Sequence, residues 1–248
     1  MKRLTHILLA ALFVPGGHAA PTAPDGARRA QADDPDAASA SSILWYRQPP
    51  SAAACADPWM EYGLPIGNGQ LGAMVMGEVG TDVLQFNEKT LWTGNSTTAQ
   101  RGAYQNFGHV YIETLGGDLR SGQAAPLRGY RRQLDLSTAT VTVGYASPDS
   151  SVVYRREYIA SHPDGVLAVR LSASRPGRVS VRVRIDDAAG RAPVAYDDAG
   201  ARFGGRLTTV SYAARLRVVP TGGTLRADTA GIVVRGADEV LLVLAAAT

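Results

Sequence analysis

Between Val179 and Ile185 the chain reads Val-Ser-Val-Arg-Val-Arg-Ile, with an apolar residue at every second place. A β-strand sends successive side chains to opposite faces, so this is a strand with one dry face and one wet face. The pattern recurs. Val141 to Tyr145, Val152 to Ile159, Val166 to Leu171, Leu207 to Tyr212, Leu216 to Val219, Ile232 to Val234 and Val240 to Ala246 also read as strands. Turn-forming runs separate several of them: Ser147-Pro148-Asp149, His162-Pro163-Asp164-Gly165, Arg175-Pro176-Gly177 and Thr221-Gly222-Gly223. No stripe of helical period is sustained, and nothing repeats at a fixed interval. Many short strands joined by short turns predict an all-β fold, a large antiparallel β-sandwich. Leu71 to Met76 is apolar on both faces, which predicts a central strand covered on each side. Residues 99–128 are Gly-rich and irregular and predict a long loop beside Phe107 to Ile112.

The rest of the chain divides by composition. Residues 1–20 have a basic start, an apolar core from Ile7 to Val14 and small residues at Gly16, Gly17, Ala19 and Ala20. That is the layout of a secretory signal peptide, and its apolar core is shorter than a membrane span. Residues 21–42 are rich in Ala, Pro, Asp and Ser and hold almost no large apolar side chain, which predicts a disordered linker. Residues 43–248 then form the folded domain of a secreted or periplasmic protein. The net charge is +3, but Lys2 and Arg3 lie in the leader, and without residues 1–20 it falls to +1. That balance gives no basis for a nucleic-acid partner, and no later segment suggests a membrane one. The chain ends on an apolar strand, Val240 to Thr248, with no polar tail, which predicts a chain cut at the edge of a sheet.

Chemistry-bearing motifs are sparse. Cys55 is the only cysteine, so the chain offers no internal disulfide and no Cys-based metal pattern. Gly67-Asn68-Gly69 leads into a strand and lacks the Lys and Ser/Thr of a phosphate-binding loop, so it reads as a tight turn. His109 and His162 are the only histidines after the leader, and no Gly-x-Ser-x-Gly elbow accompanies them. His162 sits in a turn by composition, and His109 is expected in a surface loop. The carboxylates Glu61, Glu78, Glu88, Glu113 and Glu157 show no spacing that pairs any two as a glycosidase needs. No cofactor or metal site is expected. One cluster stands out: Asn87, Glu88, Thr90 and Trp92, at the end of an apolar run from Val83 to Phe86. Two readings of it are open. Amide and carboxylate groups beside an indole suit a sugar, whose hydroxyls they bond and whose C–H face the ring covers. Alternatively this is a polar strand end, with Trp92 in the core and Glu88 paired with an arginine.

Leu44-Trp45-Tyr46, Trp59, Leu64-Pro-Ile-Gly-Asn-Gly69, Leu71-Gly-Ala-Met-Val75 and Leu84-Gln-Phe-Asn-Glu-Lys-Thr-Leu-Trp-Thr-Gly94 together resemble the N-terminal domain of glycoside hydrolase family 95, the alpha-L-fucosidases. Tyr130 to Leu136, Tyr154 to Glu157 and Ala160 to Asp164 form a second similar block. The resemblance runs from about Ile43 to Thr248. It implies a super-sandwich domain. In the full enzyme an α/α toroid follows and carries the inverting hydrolysis of terminal alpha-L-fucosyl linkages. No residue of this sequence corresponds to the toroid, so the resemblance implies a sandwich without its catalytic domain and without hydrolytic activity of its own. It implies a fucosylated glycan as substrate of the full enzyme and the missing toroid as docking partner. Asn87, Glu88, Thr90 and Trp92 are then expected to bond sugar or a toroid loop, with Trp92 packed beneath. Lys89 departs from the pattern, because the family often has Asp there. A stand-alone carbohydrate-binding module and a remnant of a split gene are the alternatives.

Overall fold

The computed structural model describes residues 42–50, 58–95, 102–116 and 128–248. The expected leader, all of the linker but Ser42, and Cys55 lie outside the described residues. The elements are, in order, β1 (Ile43–Tyr46), α1 (Pro58–Tyr62), β2 (Leu64–Gly67), β3 (Leu71–Val75), β4 (Thr81–Glu88), β5 (Trp92–Thr93), β6 (Ala103–Tyr104), β7 (Gly108–Thr114), β8 (Arg128–Asp135) and β9 (Thr140–Ala146). They continue with β10 (Val153–Ser161), β11 (Val166–Ala173), β12 (Val179–Asp187), β13 (Ala195–Asp197), β14 (Gly200–Arg206), β15 (Ser211–Thr221), β16 (Thr224–Asp228), β17 (Gly231–Ala237) and β18 (Glu239–Ala247).

Two antiparallel sheets face each other. The larger has nine strands in the order β1-β8-β9-β10-β11-β18-β15-β14-β13, and the smaller has seven, β16-β17-β12-β7-β4-β3-β2. A short ribbon, β5-β6, sits at one end. The alternation read at Val179 to Ile185 is the reason the sheets close. Val179, Val181, Val183 and Ile185 all point inward and are buried. Leu84, Val110 and Ile232 join them from the same sheet, and Leu167, Leu216 and Leu242 meet them from the other. Removing such side chains from water is the main favourable contribution to folding, roughly 1.5–3 kcal/mol for each large one. Below one end of the sandwich the core turns aromatic. Phe107 lies 5.5 Å from Phe86 and 6.1 Å from Phe203, ring centre to ring centre, and meets Tyr212 edge-on at 5.6 Å. Gly108 makes this approach possible, since a Cβ there would fall 2.4 Å from the Asp186 carbonyl oxygen and 2.8 Å from the Phe86 ring.

The two layers are also joined by charge. Asp82 at the start of β4 is buried, as are Arg156 of β10 and Arg132 of β8. Asp82 Oδ1 accepts from the Gly77 and Glu78 amides at 2.7 and 3.2 Å, and Oδ2 accepts from the Tyr158 hydroxyl. The Arg156 guanidinium stands 3.5 Å from Asp82 and donates to the carbonyls of Glu78 and Val79 and to Thr114 and Tyr145. Burial pulls Arg156 toward losing its proton, but Tyr145, Tyr158 and Asp82 outweigh that and leave it above its ordinary value. Arg132 lies against the Tyr46 ring at 4.3 Å and donates to the carbonyls of Tyr62 and Met76. Together these groups fasten the loop between β3 and β4 to the nine-stranded sheet.

Three expectations need correcting. Leu71 to Met76 is not central: β3 is one strand in from the edge, and on its second face Met74 packs against Gly63. Leu207 to Tyr212 is not one strand. The chain reverses at Thr208-Thr209, closed by the Leu207 amide on the Val210 carbonyl at 2.8 Å, and the flanking Leu207 and Val210 hid a turn that has no Gly, Asn or Pro. The segment beside the expected loop is β7, a strand inside the seven-stranded sheet, and residues 96–101 and 117–127 lie outside the described ones. His109 therefore stands in a strand, where its amide and Nδ1 both meet Asp186 Oδ1, at 3.0 and 2.8 Å.

Candidate functional site

The strand ends that include Gly67, Glu88, Asp187, Ser161, Arg206 and Ala247 all reach the same end of the sandwich, and the site is built on that rim. It begins with the turn between β2 and β3. Gly69 takes φ +87°, a conformation open to glycine. Asn68 Oδ1 accepts from the amides of Gln70 and Leu71 at 3.0 and 2.8 Å, while its Nδ2 crosses to the Ser161 carbonyl of the other sheet at 2.8 Å. This buried amide latches the two layers together at the rim.

The turn sets Gln70 against Glu88, the last residue of β4. Glu88 is fully buried. Its Oε1 accepts from the Gln70 side-chain amide, and its Oε2 accepts from the Thr90 amide at 2.9 Å and the Thr90 hydroxyl at 2.7 Å. The carboxylate thus folds the Glu88–Leu91 turn around itself, and Leu91 plugs the core beneath. Asn87 Oδ1 accepts from the Phe107 amide at 2.8 Å and ties the loop to the start of β7. Trp92 comes out on the surface, 48% exposed, with its indole N–H on the Lys89 carbonyl at 2.9 Å. Tyr104 of β6 stands beside it, 43% exposed, ring centres 5.3 Å apart. The Tyr104 hydroxyl donates to the Glu88 carbonyl at 3.2 Å, and burial, then the Glu88 charge, hold the phenol above its ordinary pKa. The Thr90 hydroxyl also meets that of Thr248.

Of the two open readings, the polar strand end with a core Trp92 and a Glu88–arginine pair does not describe this loop, and the sugar reading stays open. Glu88 pairs with Gln70 and Thr90 and with no arginine among the described residues, and Trp92 is neither in the core nor beneath the loop. Sequence reasoning missed Asn68 as a latch, Gln70 as the partner of Glu88, and Tyr104. An Asn in a Gly-flanked turn was the available signal for the first. Tyr104 carried none, since its place depends on a loop closing back over ten residues. The other carboxylates stay apart. Glu157 pairs with Arg155 and Arg170 on the outer face of the nine-stranded sheet, Glu113 faces Arg182 on the outer face of the other, and Glu78 lies at the end opposite the rim. Burial, then Asp82, push the Glu78 carboxyl up. Among the described residues no group of His, Cys, Asp and Glu is arranged to hold a metal ion. No described helix is long and apolar enough to cross a membrane.

A second buried acid braces the rim. Asp187 Oδ1 accepts from the Arg191 guanidinium at 2.6 Å, and Oδ2 from the Tyr212 hydroxyl at 2.5 Å. Burial alone would raise the Asp187 pKa, but these bonds and the Ala189 amide outweigh it and leave the carboxyl below its ordinary value. A carboxyl depressed in the folded state contributes stability above its unfolded pKa and loses it as pH falls through the folded one. Below about pH 4, Asp187→Asn should therefore lose less stability on acidification than the parent chain. Urea midpoints at neutral pH and at pH about 3 measure the difference; equal losses would mean that Asp187 contributes nothing to acid sensitivity.

With the fold and rim defined, comparison with known proteins identifies the domain. The profile described as "Glycosyl hydrolase family 65, N-terminal domain" matches residues 44–103 and 94–248. The chain belongs to this family of N-terminal domains. Its relatives include "Alpha-L-fucosidase 2" of Arabidopsis thaliana, 32% identical over 157 residues, which cover 50% of this chain and 18% of that protein. Another is "Probable alpha-fucosidase A" of Aspergillus niger, 26% identical over 168 residues, 54% of this chain and 20% of that protein. The family domain thus spans about a fifth of the curated relatives it matches. The relatives carry the names that the resemblance to the alpha-L-fucosidases implied, and the chain is an N-terminal domain of that glycoside hydrolase kind.

Proposed function

We propose that this domain is the sandwich of an exported alpha-L-fucosidase-type hydrolase, and that its rim faces the catalytic part and lines the mouth of the glycan pocket there. The full enzyme would remove terminal alpha-L-fucosyl groups with inversion, and the sandwich alone would not hydrolyse them. The leader-like residues 1–20 support export, and the named relatives support the substrate. The observation that carries the placement is the exposed pair Trp92 and Tyr104, held up by a carboxylate whose oxygens are already engaged. Glu88 is spent on shaping the loop, and the aromatic shelf is what the loop offers outward. A polypeptide continuing past Thr248 would leave the sandwich beside Thr90.

The same shelf suits a stand-alone sugar-binding module, so the test must separate the two. Trp92→Ala removes a half-exposed ring and should change stability by less than about 1 kcal/mol. A fucosylated oligosaccharide titrated into the parent should perturb tryptophan emission weakly, and the variant should lose that response. Tight saturable binding by the parent would favour the module; a response that persists in Trp92→Ala would show that the shelf does not face the glycan.

A further inference from the structure

The outer face of the nine-stranded sheet carries a second, arginine-rich surface. Between Ala199 and Ala227 the chain has five arginines and no Asp or Glu. Three of them, Arg202, Arg215 and Arg217, point outward from β14 and β15 and are exposed. Arg202 and Arg215 are direct cross-strand partners, and Arg217 follows two residues along the same face. Like charges directly opposite one another on neighbouring strands are unfavourable. Yet among the described residues none of the three makes an ion pair or side-chain hydrogen bond. Of the neighbouring acids, Asp197 on β13 accepts from the Ala199 amide and Asp164 from Ser161, and neither pairs with these arginines. Arg202 and Arg215 line an open trough of about 730 Å³ whose floor includes Gly204, Ala213, Ala245 and Ala247, and Arg217 stands beyond its lining on the same sheet face.

We propose that this trough and the sheet face beside it bind an acidic polysaccharide, a polyuronate, through Arg202 and Arg215 in the trough and Arg217 beyond it. Guanidinium forks match carboxylates in pairs, and a row of three matches a ligand whose charge repeats along a chain. The small floor lets sugar rings lie close to the sheet. A second copy of this chain does not fit, because a two-fold contact would set arginines on arginines. Single-stranded nucleic acid fits poorly, since no exposed aromatic ring lines the trough for a base to stack on. The proposal rests on the glycan half of the functional reading and on none of the rim.

Affinity electrophoresis of the full chain in gels containing polygalacturonate tests it. The parent should be retarded at low salt and released at molar salt. Each single Arg→Gln change should weaken binding by about five-fold, the triple variant R202Q/R215Q/R217Q should lose it, and an uncharged galactan should retard neither. Circular dichroism confirms that the variants fold, as exposed sheet-face changes should allow. Trp92→Ala should be retarded like the parent, so a failure of the rim reading leaves this result standing. Indifference of the parent to polygalacturonate, undiminished retardation of the triple variant, or equal retention by single-stranded DNA would each overturn the proposal.

Discussion

Asp82→Ala should destabilise the domain by about 3–5 kcal/mol, the cost of stripping one partner from a buried ion pair. The loss has several parts at one place. Arg156 would keep its buried charge with carbonyls and hydroxyls but no anion, the Tyr158 hydroxyl would lose its acceptor, and the Gly77 and Glu78 amides would be left without theirs. A domain of this kind has a total stability of about 5–15 kcal/mol, so the change takes a large share. Arg156→Met should also be costly. The double variant should be less unstable than the two single changes added, with a coupling of about 1–3 kcal/mol. Chemical denaturation of the four proteins closes the cycle. A loss below about 1 kcal/mol for Asp82→Ala would mean that the pair behaves like a surface contact and does not fasten the β3–β4 loop.

Glu88→Ala should have the second-largest effect, about 2–4 kcal/mol, and it should be felt at the shelf. The substitution leaves the Gln70 and Thr90 amides without an acceptor at the rim, leaves the Thr90 hydroxyl only Thr248, and opens space above the Leu91 plug. Glu88→Gln keeps one oxygen and should lose about half as much. Because Trp92 and Tyr104 are held by the carbonyls of Lys89 and Glu88, both variants should loosen them, seen as changed Trp92 emission without any sugar present. A direct sugar contact by Glu88 would look different: ligand response would fall while midpoint and resting emission stayed put.

The architecture was legible because alternation is a local signal. Val179 to Ile185 announces a half-wet strand whatever surrounds it, and the Pro- and Gly-containing turns at 147–149, 162–165, 175–177 and 221–223 sit where strands reverse. The errors came where a long-range contact decides the outcome. Met74 looks like a buried-strand residue because the chain at Gly63, just after α1, packs against its side chain. The Thr208-Thr209 reversal has no turn residue, since its place is set by the pairing of β14 with β15. The same logic explains the site. Asn87, Glu88, Thr90 and Trp92 could be picked out as a polar cluster beside an indole, but their division of labour could not. Which oxygen meets Gln70, and whether an indole ends inside or outside, depend on a turn eighteen residues earlier in the chain and on a ribbon that returns at Tyr104.

The most direct test of the division between shelf and chemistry is an aryl alpha-L-fucoside assay on the pure 248-residue chain. A sandwich that shapes the pocket mouth but holds no catalytic centre should release no nitrophenol above buffer. Release that rises in proportion to the amount of folded chain would contradict it and place a complete hydrolytic site on the sandwich itself.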